Sequence, residues 1–297
     1  MKRVFWLLLT LAAVFAGTRA LVRALPGDPI DTLVAETGTS VPTAELRAEL
    51  RLDRPFWPAL ASDAQAALKG DFGSSIFSRR PVAPLLGERL VRTLELAAVA
   101  LALSLPISLL LGLPAAARPG GAADILCSIH GALGAGLPIT WLGPILLVAL
   151  AVWIPLFPLG GSVALPAIAL ALGFSGLWAR LVRERVRFVL LHGAAVGARA
   201  RGIPEWKVLV KYGLAPGAGA LVAYLGTQAG GLMAGAFVVE VIFGWRGMGS
   251  LLVDAVLRRD YPVVEAASFA AAAAVLLGSF AGDLAQRWLD PRPEGSA

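Results

Sequence analysis

The sequence predicts an all-α integral membrane protein with about six transmembrane helices. Three observations point to it. The 297 residues are 57% hydrophobic and only 15% charged, where soluble domains carry about 25% charged residues. Mean hydropathy is +0.74. Long apolar stretches recur, several near the roughly 20 residues that cross about 30 Å of hydrocarbon. A water-soluble enzyme, a nucleic-acid binder and a disordered tail are poor descriptions of such a chain. Its formal net charge of +6 points to a bilayer rather than to nucleic acid. One cysteine, Cys127, and two histidines, His130 and His192, leave no internal disulfide, no cysteine-based metal cluster and little titratable chemistry near neutral pH.

The first element runs from Val4 to about Leu25 behind Lys2 and Arg3. Its apolar run ends at Thr18, so it also resembles a secretory signal. The stretch before Arg19 offers no convincing small-x-small cleavage site, which favours a retained span. Arg19 and Arg23, four apart, share one helical face and are expected to snorkel to the outer interface. Residues 25–92 carry eight basic and nine acidic residues and five prolines after the LPGDP at 25–29. That is too polar for lipid, so an ordered extracytoplasmic segment is expected, with short helices at Thr43–Leu52 and Ser62–Leu68. The division is therefore 1–92, first helix and external segment, and 93–297, a core of about five helices with a cytoplasmic loop at 183–216.

Span two is expected from about Thr93 to Leu113, followed by a turn around Arg118. Span three covers about Ile129 to Trp153, with Pro138 and Pro144 bending its axis. Span four takes about Val163 to Leu181, span five about Ala218 to Ile242, and span six Val263 to about Leu284. Between the last two lie GWRGMG at 244–249 and an amphipathic stretch to Asp260. The glycines at 217, 219 and 226–235 suit close helix packing. Residues 180–212 hold eight basic and two acidic side chains, 8 − 2 = +6, which places this segment and both termini in the cytoplasm.

No P-loop, HExxH or GxSxG pattern occurs, so nothing supports nucleotide hydrolysis, a metal site or membrane-embedded catalysis. The segment RLVRERVRFVLLHGAAVGARARGIPEWKVLVKYGLAPG, 180–217, is the informative one. Gly202 breaks two short helical stretches. Pro204 suits the first turn of the second, Glu205 complements its N-terminus, and Lys207 and Lys211 fall toward its C-terminal end. Trp206, Leu209 and Val210 make one apolar face. Two readings compete. An amphipathic segment held by anionic lipid needs charge alone, whereas the ordered break at Gly202-Ile203-Pro204 favours a rigid protrusion that docks on another protein.

GARARGIPEWKVLVKYGL at 197–214 resembles the coupling (EAA) loop of ABC importer permeases, in the form found in oligopeptide/dipeptide (nickel) importers. Ala198, Arg199, Ala200, Arg201 and Gly202 match in order, and Val208, Leu209 and Leu214 continue the match. LPGDP at 25–29, LDRPF at 52–56, GDFGSSIFSRRPV at 70–82, RTLELA at 92–97, the segment 237–266 and LDPR at 289–292 are similar to the first (B-type) subunit of the permease pair. Val196 and Gly197 stand where the Glu-Ala of the signature would fall, and Tyr212 replaces a usual His.

The resemblance implies a type I permease fold in a bacterial cytoplasmic (inner) membrane. It also implies a homologous second permease subunit, two cytoplasmic P-loop ATPases that hold ATP and Mg, and an extracytoplasmic solute-binding protein. The chain itself would bind no cofactor and catalyse nothing. Its ATPase-coupling residues would be Ala198, Arg199, Ala200, Arg201, Gly202, Ile203, Pro204, Glu205, Lys207 and Lys211. Glu95, Thr140, Ser175, Gln228, Glu240 and Asp283 are candidates for a substrate path, because polar side chains within spans are costly. The competing class is an ion-gradient-driven secondary transporter, which would show midplane charges and internal repeats; neither is evident.

Overall fold

The computed structural model of the chain describes residues 2–24, 55–191 and 193–289. The expected helix at Thr43–Leu52, the LPGDP motif, most of LDRPF, His192 and the end of LDPR lie outside the described residues. Among the described residues, eleven α-helices follow in order: α1 Lys2–Ala24, α2 Phe56–Leu68, α3 Val82–Ala117, α4 Ala122–Gly136, α5 Ile139–Leu147, α6 Ala164–Leu190, α7 Ala194–Ala200, α8 Glu205–Lys207, α9 Ala215–Phe243, α10 Met248–Arg258 and α11 Tyr261–Leu289. Two π-helical turns, Val148–Trp153 and Val208–Leu214, continue α5 and α8. Among the described residues, five helices are long and apolar enough to cross a membrane, and the bent pair α4–α5 makes a sixth span if counted once.

Two expected boundaries differ. Span two was placed from Thr93, yet α3 begins at Val82 and runs 36 residues, roughly 54 Å at 1.5 Å per residue. Apolar content marks what lipid will accept, not helix length, and the charged Glu88, Arg89 and Arg92 fall in the added first turns of the helix. Span three is not one bent helix: α4 and α5 meet at 105°. Pro138 forces Leu137 toward an extended backbone (φ −98°, ψ 107°) and is itself extended (φ −57°, ψ 143°), so the helix ends before the proline and restarts after it.

The chain forms two compact units. The first comprises 1–93 and 246–276. Within it, GDFGSSIFSRRPV folds as a tight loop around buried Ile76, with Ser75 N–H donating to Arg80 O at 3.0 Å and Val82 N–H to Gly73 O at 2.9 Å. Asp260 caps α11 through its backbone carbonyl, which accepts from Val264 N–H. Its buried carboxylate accepts from Ser75 Oγ at 2.5 Å and Ile76 N–H at 3.0 Å. Arg19 does not snorkel. Its side chain is largely buried and paired with Asp63 and, at 3.1 Å, with Glu265; two carboxylates in reach outweigh a path to water.

The second unit comprises 94–245 and 277–297. Its helices approach through small residues. A Cβ on Gly176 of α6 would stand 2.5 Å from His130 O of α4, and one on Gly226 of α9 would stand 2.4 Å from the Cα of Gly282 on α11. Gly235 also meets a neighbour closely, whereas a Cβ on Gly217 would meet open space. Buried serines link α3 to α6: Ser108 Oγ donates to Ser175 O at 3.2 Å.

Those glycines separate two expectations. Gly176→Ala would destabilise the protein by about 1–3 kcal/mol, since a backbone carbonyl cannot yield to the new methyl. Gly217→Ala would stabilise it by about 0.5–1 kcal/mol through helix propensity alone. Denaturation midpoints in mixed micelles check both; equal shifts would contradict the packing account.

Candidate functional site: the helix–turn–helix at 193–214

The basic segment begins inside α6, which continues about nine residues past the expected span and ends at Leu190. Arg183 on that extension is already neutralised: it reaches Asp124 at 2.9 Å and Ser128 Oγ at 2.7 Å on α4. The chain then reverses through Gly193 into α7.

The end of α7 is a Schellman turn. Gly202 N–H donates to Arg199 O at 2.9 Å, and Ile203 N–H donates to Ala198 O at 3.2 Å. Both bonds require a left-handed residue at Gly202, whose φ is +72°, a conformation costing an ordinary residue about 1–2 kcal/mol. Ile203 and Ala198 meet in the same apolar cluster, the hydrophobic contact that accompanies this turn. Pro204 (φ −57°, ψ 140°) stands one place before the helix, at its N-cap. Its carbonyl accepts from Lys207 N–H at 2.9 Å and Val208 N–H at 3.1 Å, and Glu205 opens the first turn.

The second arm is continuous with α9. Because Val208–Leu214 is π-helical, its side chains do not follow the period of an α-helix. The expected Trp206–Leu209–Val210 face is accordingly split. Val208 is fully buried and Leu209 half-buried, while Trp206 and Val210 point outward. Val208 joins Ala195, Ala198, Val182, Val186, Leu190, Ala116 and Leu221 in one core cluster. The loop is thus rooted in α3, α6 and α9 rather than hanging from them.

Arg199 binds three ways. Its Nε and Nη2 donate to the two carboxylate oxygens of Glu205 at 3.1 and 2.6 Å, and Nη1 donates to Leu190 O at 3.0 Å. The side-chain hydrogen bond from Arg199 holds the Glu205 carboxyl below the usual carboxylate range, against opposing desolvation; the same bond raises Arg199 further above its ordinary value. Ala200, Arg201, Pro204, Trp206, Lys207 and Lys211 are exposed. Lys207 Nζ lies 5.3 Å from the Trp206 ring centroid, and Lys211 Nζ 5.8 Å from that of Tyr212.

The path candidates are dispersed over several helices. Glu95 on α3 and Thr140 at the start of α5 are exposed. Ser175 is buried and shares a 2.9 Å hydrogen bond with His130 Nε2, which ties α6 to α4. Gln228 donates to Tyr224 Oη at 2.8 Å along α9, and Glu240 is buried near the end of that helix. The side chain of Asp283 lies outside the described residues. Sequence reasoning matched Val208 to the loop pattern but missed its burial, which depends on the π turn, and it missed Asp260, whose carboxylate is taken by Ser75 and Ile76, residues far away in the sequence.

Residues 108–295 match the family described as binding-protein-dependent transport system inner membrane component. The chain belongs to this family. It is a multi-pass inner-membrane component of a transport system, not a member of an enzyme family. It is 30% identical over 312 residues to the dipeptide transport system permease protein DppB of Escherichia coli (strain K12), covering 93% of this chain and 92% of that one. The glutathione transport system permease protein GsiC of Salmonella paratyphi A is 32% identical over 275 residues, covering 90% and 89%. The oligopeptide transport system permease protein AppB of Bacillus subtilis (strain 168) is 31% identical over 290 residues, covering 92% of each.

The Arg199–Glu205 pair has a signature in solution. With a folded-state pKa below the unfolded one, the carboxylate stabilises the loop above the ordinary glutamate range, and that contribution is lost as pH falls through the depressed value. Carbon-13 titration of Glu205 in nanodiscs should therefore show a midpoint below that of a free glutamate. Arg199→Gln should return it to the ordinary range; an unchanged midpoint would contradict the pairing.

Proposed function

We propose that the chain is a transmembrane permease subunit of an ATP-driven ABC importer for peptides or similar small solutes. It pairs with a homologous second permease and receives solute from an extracytoplasmic binding protein. Two cytoplasmic ATPases hold ATP and Mg; this chain binds neither and catalyses no reaction. Family membership supports the importer assignment, and the names of the relatives support the solute class.

The observation that carries the coupling role is the braced turn at 193–214. Charge alone would serve lipid attraction, but a Schellman turn closed on a core cluster shared by three long helices suits a rigid element that is pushed. Ala198 and Ile203 root it; Ala200, Arg201, Pro204, Lys207 and Lys211 present its outer side to the ATPase, with Trp206 beside them. Engagement of the ATPase pair displaces this element, and α6 and α9 carry the displacement into the spans, which alternate between inward- and outward-open states. Glu95, Thr140, Ser175, Gln228 and Glu240 belong to the helices so moved, where Ser175 serves through its bond to His130.

Gly202→Asp tests the coupling role. Any residue with a Cβ is strained at φ +72°, and aspartate also sets a negative charge among the loop's basic side chains, so uptake of a radiolabelled mixed-peptide pool by cells carrying the complete transporter should be abolished. Co-purification of the two permeases should persist. Normal uptake by the variant would overturn the coupling role. Failure of the unaltered transporter to take up any peptide would overturn the solute class instead.

A further inference from the structure

We infer that Arg199 is a positioning residue: it locks the two arms of the loop to the end of α6 and does not itself dock on a partner. The inference rests on the coupling role proposed above. Position 199 lies within the basic stretch that resembles a docking motif, yet its guanidinium is committed inside the chain. Nε and Nη2 take both oxygens of Glu205 on the second arm, and Nη1 takes the carbonyl of Leu190. That carbonyl belongs to the last turn of α6, where the helix leaves acceptors without intrahelical partners.

Three elements therefore meet in one side chain: α6 at Leu190, α7 at Arg199 itself, and α8 at Glu205. Gly202 sets the direction of the turn, but a turn alone leaves its arms free to splay. Ala198 and Val208 pin the inner side through the apolar core. Arg199 closes the opposite side, where residues 199–202 and 204–207 are exposed. An exposed ion pair contributes little to global stability in general; here two-pronged geometry and the third bond fix an orientation. The docking surface then falls to side chains without such commitments on that side, Arg201 and Trp206 with Lys207 against its ring.

Planarity distinguishes bracing from charge. Lysine keeps the charge and loses the fork. If Arg199 docked by charge, Arg199→Lys would preserve function, and Glu205→Gln would leave it unaffected. If it braces, Arg199→Lys, Arg199→Gln and Glu205→Gln fail alike, and Arg199→Gln/Glu205→Gln is no worse than either single change.

The experiment uses the complete transporter in nanodiscs and proteoliposomes with the labelled peptide pool. Amide hydrogen exchange at Gly202 and Ile203 should rise about tenfold in each single variant, the scale set by losing a charge-assisted hydrogen bond. Peptide taken up per ATP hydrolysed should fall about tenfold, while assembly on size-exclusion chromatography is kept. Unchanged exchange overturns the brace without reference to transport. Additive losses in the double variant, or full activity of Arg199→Lys, also overturn it and return Arg199 to the docking surface. If Gly202→Asp transports normally, the coupling role fails; if Gly202→Asp fails and Arg199→Gln does not, only the brace fails.

Discussion

The helix–turn–helix at 193–214 depends on one backbone conformation, the left-handed turn at Gly202 with φ +72°. Two hydrogen bonds close across it, from Gly202 N–H to Arg199 O and from Ile203 N–H to Ala198 O. They bring Ile203 back onto Ala198 and let Val208 enter the core shared with α3, α6 and α9. Without that geometry the second arm, which runs unbroken into α9, would point elsewhere. A loop seated in this way is fixed to the helices it packs against, which suits the proposed coupling role.

Within the spans the constraint is different. Lipid offers no partner for backbone polar groups, so helices form throughout and their association depends on shape and a few buried hydrogen bonds. Gly176 against His130 O, and Gly226 against Gly282, set close approaches that larger residues would prevent. Ser108, Ser175 and His130 supply the polar links. In the other unit, the Asp260 carboxylate serves the same economy by satisfying Ser75 Oγ and Ile76 N–H together.

Much of this was legible in the sequence, and the exceptions have physical causes. Apolar runs located the spans because hydropathy measures what lipid will accept. They could not locate Val82 as the start of α3, since a helix may continue into water. Pro138 announced a bend, but its size, 105°, follows from an extended Leu137–Pro138 pair that proline only biases. Gly202 and Pro204 marked the turn correctly. The apolar face of the second arm was misplaced because a π turn shifts the register, and no composition signals one. Arg19 looked like a snorkelling residue because its partners, Asp63 and Glu265, lie far along the chain. Arg199 differs: its partners Glu205 and Leu190 are near in sequence, but its bonds to them exist only once the loop has folded.

The most direct measurement of the central claim is site-directed cross-linking to the ATPase. Cys127 is the chain's one cysteine and is buried, so Cys127→Ala gives a cysteine-free background. Single cysteines would then be placed by Arg201→Cys, Trp206→Cys and Val208→Cys in membranes containing the whole transporter. The account predicts that positions 201 and 206 cross-link to an ATPase subunit through a short bifunctional reagent, with yields that change on adding ATP and vanadate. Position 208, inside the core, stays uncoupled. Cross-links from 208 but not from 201 or 206, or none from any of them to an ATPase, would contradict it.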